Sequence, residues 1–552
     1  MPVSLLHRRF VLGLVLSALA PIAAAAGKPA ESSSRAASSA SSADDADLRT
    51  PPALDPRLRE RQRETQGSVQ IGGQRIEYRA IAGLLSIEDS KDEPGATMSY
   101  VAYFKRGSAG AVRPVTFLYN GGPGSATLWL HMGAFGPQRV LTANGQRGPA
   151  APYQLVDNEF SLLDVSDLVF IDAPGTGFGR VVAVDKDKEK EREQQKEMEK
   201  EFFGVDQDAR AFARFIHKFL TRHQLWNAPK YLFGESYGTT RSAVLAAHLQ
   251  GEEEIDLNGV MLLSQVLNFG LSIDEAQFNP GIDLPYALAL PTFAATAWYH
   301  RRLPAFPRET SSLESLVDEV KRFALGDYLS ALQAGSGLAA GRRQEVLAQL
   351  ARYTGLKPAY LDQANLRVNG GMFSQRLLED EGKIVGRFDT RYAGPALDRT
   401  SQEADYDPQS VAIGPAYVAA MNHYLRATLK FGTDLTYKPG IEVWRHWDWK
   451  HKPPHVDMPL SQTVNVMPDL AFAMKANPRL KVQMYAGYYD LATTFHAAEF
   501  ELDHLPLPPE LRANIEVKHY PAGHMMYDDP ASLKRLHDDV ARFIRGTDNL
   551  PD

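Results

Sequence analysis

The stretch Gly234-Glu235-Ser236-Tyr237-Gly238 is the most informative part of this chain. It directly follows the apolar run 231–233 and opens a helix-like stretch, residues 239–250. The order strand, sharp turn, helix puts the middle serine in a strained, outward-pointing position, and the flanking glycines let the backbone bend there. A serine held in this way is a candidate nucleophile for acyl transfer. The alternative is a tight turn whose serine has no catalytic role.

Continuous apolar runs recur along the chain and predict strands. Because continuous rather than alternating apolarity is typical of strands covered on both faces, the runs indicate a parallel sheet. Helical stripes at 209–220 and 533–543 lie between them and predict a doubly wound α/β fold. The runs are residues 115–119, 168–171, 231–233, 260–263, 482–485 and 515–520.

The alternation of strands and helices stops between residues 268 and 459, where the pattern is mostly helical with several prolines. We interpret residues 268–459 as an inserted helical cap over the carboxyl ends of the strands, where such sheets bind ligands. Residues 65–267 and 460–552 then form the two parts of the core. The mixed charges of residues 185–201 predict a solvent-exposed helix.

The N-terminus has the pattern of an export signal. His7-Arg8-Arg9 precedes an apolar run and four alanines, so residues 1–26 are predicted to be a cleaved signal peptide. Residues 27–64, rich in Ala, Ser and Pro, are predicted to be a disordered linker. Residues 69–71 and 74–78 around Gly72-Gly73 predict a hairpin. We expect an exported protein, periplasmic or secreted, with no membrane span after cleavage.

Composition narrows the function. The chain has 552 residues, 44% hydrophobic and 23% charged, which is typical of a globular protein. Its net charge of -7 argues against a nucleic-acid partner. With no cysteine, disulfides, thiolate metal sites and a cysteine nucleophile are excluded.

A serine nucleophile needs a base and a group that orients it, and α/β hydrolases supply them in the order Ser, Asp, His after late strands. The run 482–485 is followed by Ala486-Gly487-Tyr488-Tyr489-Asp490. The run 515–520 is followed by Pro521-Ala522-Gly523-His524-Met525. The catalytic triad is therefore predicted to be Ser236, Asp490 and His524.

Backbone N–H groups must stabilise the developing oxyanion. One is predicted to come from Tyr237 and the other from the loop Asn120-Gly121-Gly122-Pro123-Gly124, which follows the run 115–119. An ordinary tight turn is the alternative for that loop.

Other motifs predict neither metal nor cofactor. Residues 175–179 lack a complete nucleotide-binding fingerprint. Trp444, Trp447 and Trp449 lie near three histidines without metal-ligand spacing, and we interpret them as aromatics packed under the cap, with substrate stacking as the alternative.

Four segments resemble the serine carboxypeptidases, a family with the α/β-hydrolase fold: 120–124, 172–178, 234–238 and 523–525. Their order and spacing agree with the family over residues 99–536, and residues 283–299 are similar to the cap of bacterial members. The resemblance implies that Ser236 attacks, His524 acts as base and then acid, and Asp490 orients it. It further implies the following roles: the N–H groups of Gly122 and Tyr237 hold the oxyanion, the side chains of Asn120 and Glu235 bind the substrate's free C-terminal carboxylate, and Met525 lines the pocket of the leaving residue.

The chain departs from the family at several positions. Leu118 stands where many members have tryptophan, Ala134 where a second carboxylate-binding glutamate is usual, and Tyr527 where a proline is common. These changes leave the triad intact and put the recognition of the carboxylate in question.

The leading hypothesis is an exported serine carboxypeptidase acting on peptides with a free C-terminus through an acyl-enzyme. The alternative is an esterase or acyltransferase that uses the same triad. A third hypothesis is a non-catalytic binding module on a hydrolase frame.

Overall fold

The computed structural model describes residues 55–107, 112–185, 187–274 and 276–550. The predicted signal peptide, residues 1–26, and the predicted linker as far as residue 54 lie outside the described residues. Within the described ranges, no helix has both the length and the apolar character needed to cross a bilayer.

The six predicted runs all lie in strands, and further strands form outside them. The strands of the described residues are β1 (Arg61–Ile71), β2 (Gln74–Glu88), β3 (Pro94–Lys105), β4 (Val115–Tyr119), β5 (Gln138–Val140), β6 (Leu155–Asp157), β7 (Asp167–Ile171), β8 (Arg180–Val181), β9 (Lys230–Glu235), β10 (Gly259–Leu263), β11 (Lys383–Val385), β12 (Ala393–Pro395), β13 (Lys481–Gly487) and β14 (Ile515–Tyr520).

The main sheet of the described residues has the strand order β1-β2-β3-β7-β4-β9-β10-β13-β14, with β8 beside β3. From β7 to β14 neighbouring strands run parallel, whereas β1, β2 and β3 pair antiparallel at one edge. Each predicted run lies in one of the parallel strands, and β4 and β14 have the predicted bounds. The predicted doubly wound α/β fold is confirmed.

The predicted hairpin forms, but it starts earlier in the chain than expected. Gly72 and Gly73 have φ angles of 55° and 79°, and Ile71 pairs with Gln74. Two consecutive positive φ angles define the two-residue turn that matches the twist of a hairpin. Because β1 begins at Arg61, the predicted end of the linker at residue 64 is wrong.

The helices surround the sheet. In chain order they are α1 (Lys188–Lys200), α2 (Val205–His223), α3 (Tyr237–Gly251), α4 (Leu284–Tyr299), α5 (Leu313–Phe323), α6 (Leu329–Ala334), α7 (Ala340–Thr354), α8 (Pro358–Gln363), α9 (Gly370–Arg376), α10 (Pro408–His423), α11 (Met467–Ala476), α12 (Phe495–Asp503), α13 (Pro509–Arg512) and α14 (Pro530–Thr547).

Apolar side chains cover the sheet on both faces. Phe212 of α2 and Leu245 of α3 belong to one buried cluster, and Leu536 of α14 belongs to the other. By contrast, α1 buries none of its residues, which confirms the solvent-exposed helix predicted from its mixed charges.

Between β10 and β13 the chain forms helices and one short strand pair, β11 and β12. Side chains of α4, α5 and α7 build a separate buried cluster. Helix α10 differs, because Ile413, Ala416 and Tyr417 pack into the cluster on the sheet. The insertion thus contributes to two cores. The boundaries of a cap at residues 268 and 459 stay predictions.

Candidate active site

Ser236 lies at the turn between β9 and α3, with φ 61° and ψ -129°. Few residues other than glycine adopt a positive φ, and such strain is concentrated at functional sites. The backbone N–H of Ser236 donates to the carbonyl of Leu263 at 2.9 Å, and Thr239 N–H donates to the carbonyl of Ser236 at 2.8 Å. These bonds hold the strained turn against β10 and the first turn of α3.

Asp490 and His524 follow the neighbouring parallel strands β13 and β14, so their loops lie at the same edge of the sheet. Nδ1 of His524 is 2.7 Å from Oδ2 of Asp490, and both side chains are buried. The other carboxylate oxygen of Asp490 accepts hydrogen bonds from the N–H groups of Ala492 (2.8 Å) and Thr493 (3.0 Å). The carboxylate is therefore fixed from both sides.

The surroundings of His524 raise the pKa of its imidazole. Burial lowers the pKa of its imidazole, but the charge and hydrogen bond of Asp490, together with the charge of Glu235, outweigh burial, so the pKa is raised. The guanidinium of Arg387 opposes this change. A ring that accepts a proton readily while Asp490 holds Nδ1 has the properties of a general base.

Ser236 and His524 line one cavity of 650 Å³. Among the described residues, the Ser236 hydroxyl makes no hydrogen bond to the His524 ring in the free protein. Such catalytic bonds are often long before substrate binds. Because Asp490 occupies Nδ1, the nitrogen left for Ser236 is Nε2.

The loop after β4 packs directly on the nucleophile turn. A Cβ added to Gly121 would lie 2.5 Å from the nitrogen of Tyr237 and 2.7 Å from the carbonyl oxygen of Glu235, so only glycine fits. Gly122 has φ 111°. In the described residues the N–H groups of Gly122 and Tyr237 donate to no other group. They are available to a developing oxyanion.

A buried ion pair holds this loop to the helices. Nε of Arg241 lies 2.6 Å from Oδ2 of Asp208, and neither side chain has exposed surface. Nη1 of Arg241 donates to the carbonyl of Asn120 at 2.8 Å. Since Asp208 lies on α2 and Arg241 on α3, the pair ties both helices to the glycine loop.

Glu235 is buried and accepts a hydrogen bond from the Tyr527 hydroxyl, which lies 3.1 and 2.9 Å from its two oxygens. Burial raises the pKa of Glu235 to about 7, although the charge of His524 and hydrogen bonds from Tyr527 and Asn120 act to lower it. The carboxyl can therefore carry a proton in weakly acidic solution and donate a hydrogen bond.

The cavity gathers the predicted site residues. Asp490 lies behind His524, and the insertion contributes Phe269, Asp274, Arg387 and Phe388 to the cavity wall. A second cavity of 830 Å³ shares only Asp274 and Arg387 with the first. The predicted residues that line the first cavity are Asn120, Gly122, Glu235, Ser236, Tyr237, His524 and Met525.

The insertion also anchors the two triad loops. Leu491 N–H donates to the carbonyl of Arg387 at 3.0 Å, and His524 N–H donates to the carbonyl of Phe388 at 2.7 Å. Gly523 N–H donates to the buried carboxylate of Asp389 at 3.2 Å. No local pattern in the sequence marks Arg387, Phe388 or Asp389, because they lie far from Asp490 and His524 along the chain and carry no motif.

The three residues that depart from the family pattern are all buried. Leu118 and Ala134 are both buried in the apolar cluster on the sheet. Tyr527, which was noted only as a departure, contacts Glu235 directly. The tyrosine thus supplies a polar partner to the carboxyl group beside the nucleophile.

The tryptophans of the insertion differ from one another. Trp447 is buried and its ring packs edge-on against Tyr237 at 5.5 Å, as predicted for an aromatic under the cap. Trp449 lines the cavity, and Trp444 is exposed. His451 lies between Asp206 and Asp469; burial lowers its pKa, but the two carboxylates raise it to about 9. Within the described ranges, no three His, Asp or Glu side chains are grouped to hold a metal ion.

Comparison with known proteins agrees with this geometry. Residues 72–277 match the family model described as serine carboxypeptidase. Over that stretch the chain is similar to the serine carboxypeptidase family. This similarity supports a hydrolase. The matched stretch includes the loop at Asn120 and the turn at Ser236, whereas Asp490 and His524 lie beyond it.

One solved structure supports the fold, and another is similar at a lower score. Kex1 of Saccharomyces cerevisiae, a prohormone-processing carboxypeptidase, is 14% identical, with a TM-score of 0.51 over 85% of this chain and 91% of its own. Proline iminopeptidase of Mycobacterium smegmatis is 12% identical, with a TM-score of 0.32 over 88% of this chain and 99% of its own. No curated protein sequence matches the chain significantly.

Proposed function

We propose that this protein is a serine carboxypeptidase that removes C-terminal residues from peptides through an acyl-enzyme. The observation that carries the proposal is the meeting of Ser236, the Asp490–His524 pair and Glu235 around one cavity. Ser236 supplies the nucleophile, Asp490 and His524 supply the base, and Glu235 is a carboxyl group that can pair with the substrate's own.

In the first half of the reaction, the Ser236 oxygen attacks the scissile carbonyl while Nε2 of His524 takes its proton. Asp490 holds the ring and stabilises the imidazolium. The N–H groups of Gly122 and Tyr237 receive the negative charge on the carbonyl oxygen. The tetrahedral intermediate then breaks its carbon–nitrogen bond, and His524 gives its proton to the leaving amine.

In the second half, water replaces the amine. His524 takes a proton from the water, whose oxygen attacks the ester carbonyl, and the same N–H groups hold the second oxyanion. The ester bond to Ser236 breaks, and the proton returns to the serine oxygen. The products are the shortened peptide and the free C-terminal residue.

Selectivity for a free C-terminus is proposed to come from Asn120 and Glu235. An amide can donate to a carboxylate directly, and a glutamic acid can donate only while it is protonated. Two carboxyl groups in contact share a proton, which favours binding in weakly acidic solution. Met525 lines the same cavity and is proposed to contact the leaving side chain.

The export pattern of residues 1–26 leads us to propose that the protein acts outside the cytoplasm. Detection of the mature protein in a periplasmic or culture fraction tests this, and an N-terminus that retains residues 1–26 contradicts it.

An esterase or acyltransferase is the second candidate. The observation that favours it is the buried alanine at position 134, where no carboxylate can assist Glu235. The same triad would then act on acyl donors without a free carboxylate.

The test compares a blocked dipeptide with a free carboxylate, its amide and its methyl ester. We expect cleavage of the free acid to exceed that of the amide, and stepwise shortening of longer peptides from the C-terminus by mass spectrometry. Equal rates on the free acid and the amide contradict the carboxypeptidase and favour the second candidate.

Ser236→Ala is expected to lower turnover by about 10⁴-fold or more and to abolish labelling by a fluorophosphonate. Ser315→Ala, an exposed serine on α5, is the matched control and should leave both unchanged. Near-normal turnover by Ser236→Ala, or absence of labelling in the wild type, contradicts the mechanism; the latter favours a binding module.

A further inference from the structure

The cavity beside Ser236 contains a guanidinium that the proposed mechanism does not use. Arg387 lines this cavity, and 44% of its side chain is exposed. Among the described lining residues, it is the one lysine or arginine. A cation in an apolar-walled cavity attracts anions more strongly than it would in open water.

One edge of this guanidinium is held in place. Nε of Arg387 lies 3.1 Å from Oδ2 of Asp274, and Nη2 also bonds to that oxygen. The guanidinium carbon is 5.2 Å from the centre of the Phe388 ring. The carboxylate and the ring fix the orientation of the side chain before any ligand arrives.

The other edge is open. Nη1 of Arg387 has no hydrogen-bond partner among the described residues. A guanidinium has five N–H groups, and two of them are on Nη1. An arginine clamped on one edge and open on the other is suited to bind a planar carboxylate.

The position of Arg387 points to the leaving-group side of the site. Its carbonyl binds the N–H of Leu491, the residue next to Asp490. The ring of the following residue, Phe388, lies 5.0 Å from the ring of His524. Because His524 protonates the leaving amine, groups beside it face the residue that is released.

Few other groups near Ser236 can bind the carboxylate of a substrate. Glu235 has a pKa of about 7, so it can donate to an anion only below that pH. Ala134 offers no polar group and is buried. Above neutral pH, Arg387 therefore remains a charged donor for a substrate anion in this cavity.

We propose that Arg387, oriented by Asp274, binds a carboxylate of the released C-terminal residue. This inference rests on the proposed carboxypeptidase function and deepens it. The carboxylate belongs either to the main chain of the last residue or to an aspartate or glutamate side chain there. The chemistry of recognition is the same, and the experiment separates the two sources.

The test measures kcat/KM of Arg387→Gln for blocked dipeptides that end in leucine, in glutamate and in leucinamide. Loss of about tenfold or more on both free acids, with the amide unchanged, assigns the main-chain carboxylate. Loss confined to the glutamate peptide assigns the side chain. Arg387→Lys should recover part of the loss, since it keeps the charge without the fork.

The proposal is overturned by no loss on any substrate, or by equal loss on all three, which indicates a packing role for the Arg387–Asp274 pair. Arg61→Gln is the matched control, because Arg61 is also 44% exposed and paired with an aspartate, at β1. It should leave all three rates unchanged.

Binding measured on Ser236→Ala separates this proposal from the proposed function. Calorimetry measures the affinity of Ser236→Ala for N-acetyl-leucine, N-acetyl-glutamate and N-acetyl-leucinamide. Adding Arg387→Gln should weaken the binding of at least one acid about tenfold and leave the binding of the amide unchanged. If the wild type cleaves no peptide, the proposed carboxypeptidase function is wrong. The binding measurement still tests whether Arg387 binds a carboxylate. Equal affinities for acids and amide in the presence of Arg387 contradict the carboxylate site.

Discussion

The backbone N–H of His524 donates a 2.7 Å hydrogen bond to the carbonyl of Phe388. The proposed base is thus held by the inserted segment as well as by the strand before it. Leu491, beside Asp490, binds the carbonyl of Arg387 in the same segment. The distance between the loops of Asp490 and His524 consequently depends on a segment that lies more than 90 residues earlier in the sequence.

Asp389→Asn should weaken this anchorage. The carboxylate of Asp389 is buried, pairs with Arg391 and accepts the N–H of Gly523. Breaking a buried pair leaves an uncompensated charge, so we expect a loss of about 3–5 kcal/mol in the free energy of unfolding. Urea denaturation measures it, and fluorophosphonate labelling of the folded variant should be slower. The exposed Asp398→Asn is the control; equal stability of the two variants refutes the prediction.

Gly121→Ala should disable the oxyanion site. The new Cβ would lie 2.5 Å from the nitrogen of Tyr237, against backbone that has no room to move. Displacing the loop removes N–H donors from the oxyanion, and we expect kcat to fall by about 100-fold or more. Gly341→Ala, in α7 with open space around the new Cβ, should keep full activity. Unchanged kcat in Gly121→Ala contradicts the assignment.

Asp208→Asn should destabilise the fold, because it leaves the buried Arg241 without its counter-charge. We expect a loss of about 3–5 kcal/mol in the free energy of unfolding. The matched control is Asp434→Asn, which breaks the exposed surface pair with Arg61 and should leave the free energy of unfolding almost unchanged. An equal loss of unfolding free energy in both variants, measured by urea denaturation, would mean that the buried pair stabilises the fold no more than the surface pair does.

Glu235→Gln tests the raised pKa of the buried carboxyl. Its pKa is about 7 in the folded protein against an ordinary 4.5, so the folded state keeps a proton that the unfolded chain loses. Stability of the wild type therefore falls as pH rises from about 4.5 to about 7. At one pKa unit per 1.36 kcal/mol, the loss is about 3 kcal/mol.

The glutamine cannot ionise, so the variant should gain stability relative to wild type at pH 8 compared with pH 4.5. Urea denaturation at the two pH values measures this difference. The exposed Glu197→Gln serves as control and should show no such dependence on pH. An equal stability difference between Glu235→Gln and wild type at both pH values rules out the shift.

Tyr527→Phe tests the hydroxyl that donates to Glu235. Removing a hydrogen bond to the ionised form raises the pKa of Glu235 further. If the protonated carboxyl binds substrate, the rise of KM with pH should begin at a higher pH in the variant. KM profiles for a free-acid peptide between pH 5 and 9 measure it. Tyr437→Phe, whose buried hydroxyl has no partner in the described residues, should leave the profile unchanged.

Of the six parallel strands described, five were predictable because they are buried almost throughout and mostly apolar. The sixth, β14, has polar residues between its apolar ones and is mostly half-buried. Strand β3 was not predicted, since Thr97 and Ser99 interrupt its apolar pattern with buried hydroxyls. Ser99 bonds to Asp172 and to the N–H of Phe178, contacts between residues distant along the chain. Local pattern cannot distinguish such satisfied polar groups from exposed ones.

The triad residues could be named from sequence because each sits next to a strand or glycine signal of its own. Arg387, Asp389 and the role of Tyr527 could not, because their importance lies only in what they touch. The hydroxyl of Tyr527 and the carboxyl of Glu235 are 292 positions apart. No periodicity or motif connects residues at that separation.

The order of the amino acids alone predicted the parallel strands, the turn at Ser236 and the candidate residues Asp490 and His524, because burial and backbone geometry leave local traces. Only the tertiary structure decided how Glu235 is solvated, what holds the two late loops together and which cation reaches the cavity. Those properties arise from desolvation and from contacts across the sheet, and a linear pattern carries neither.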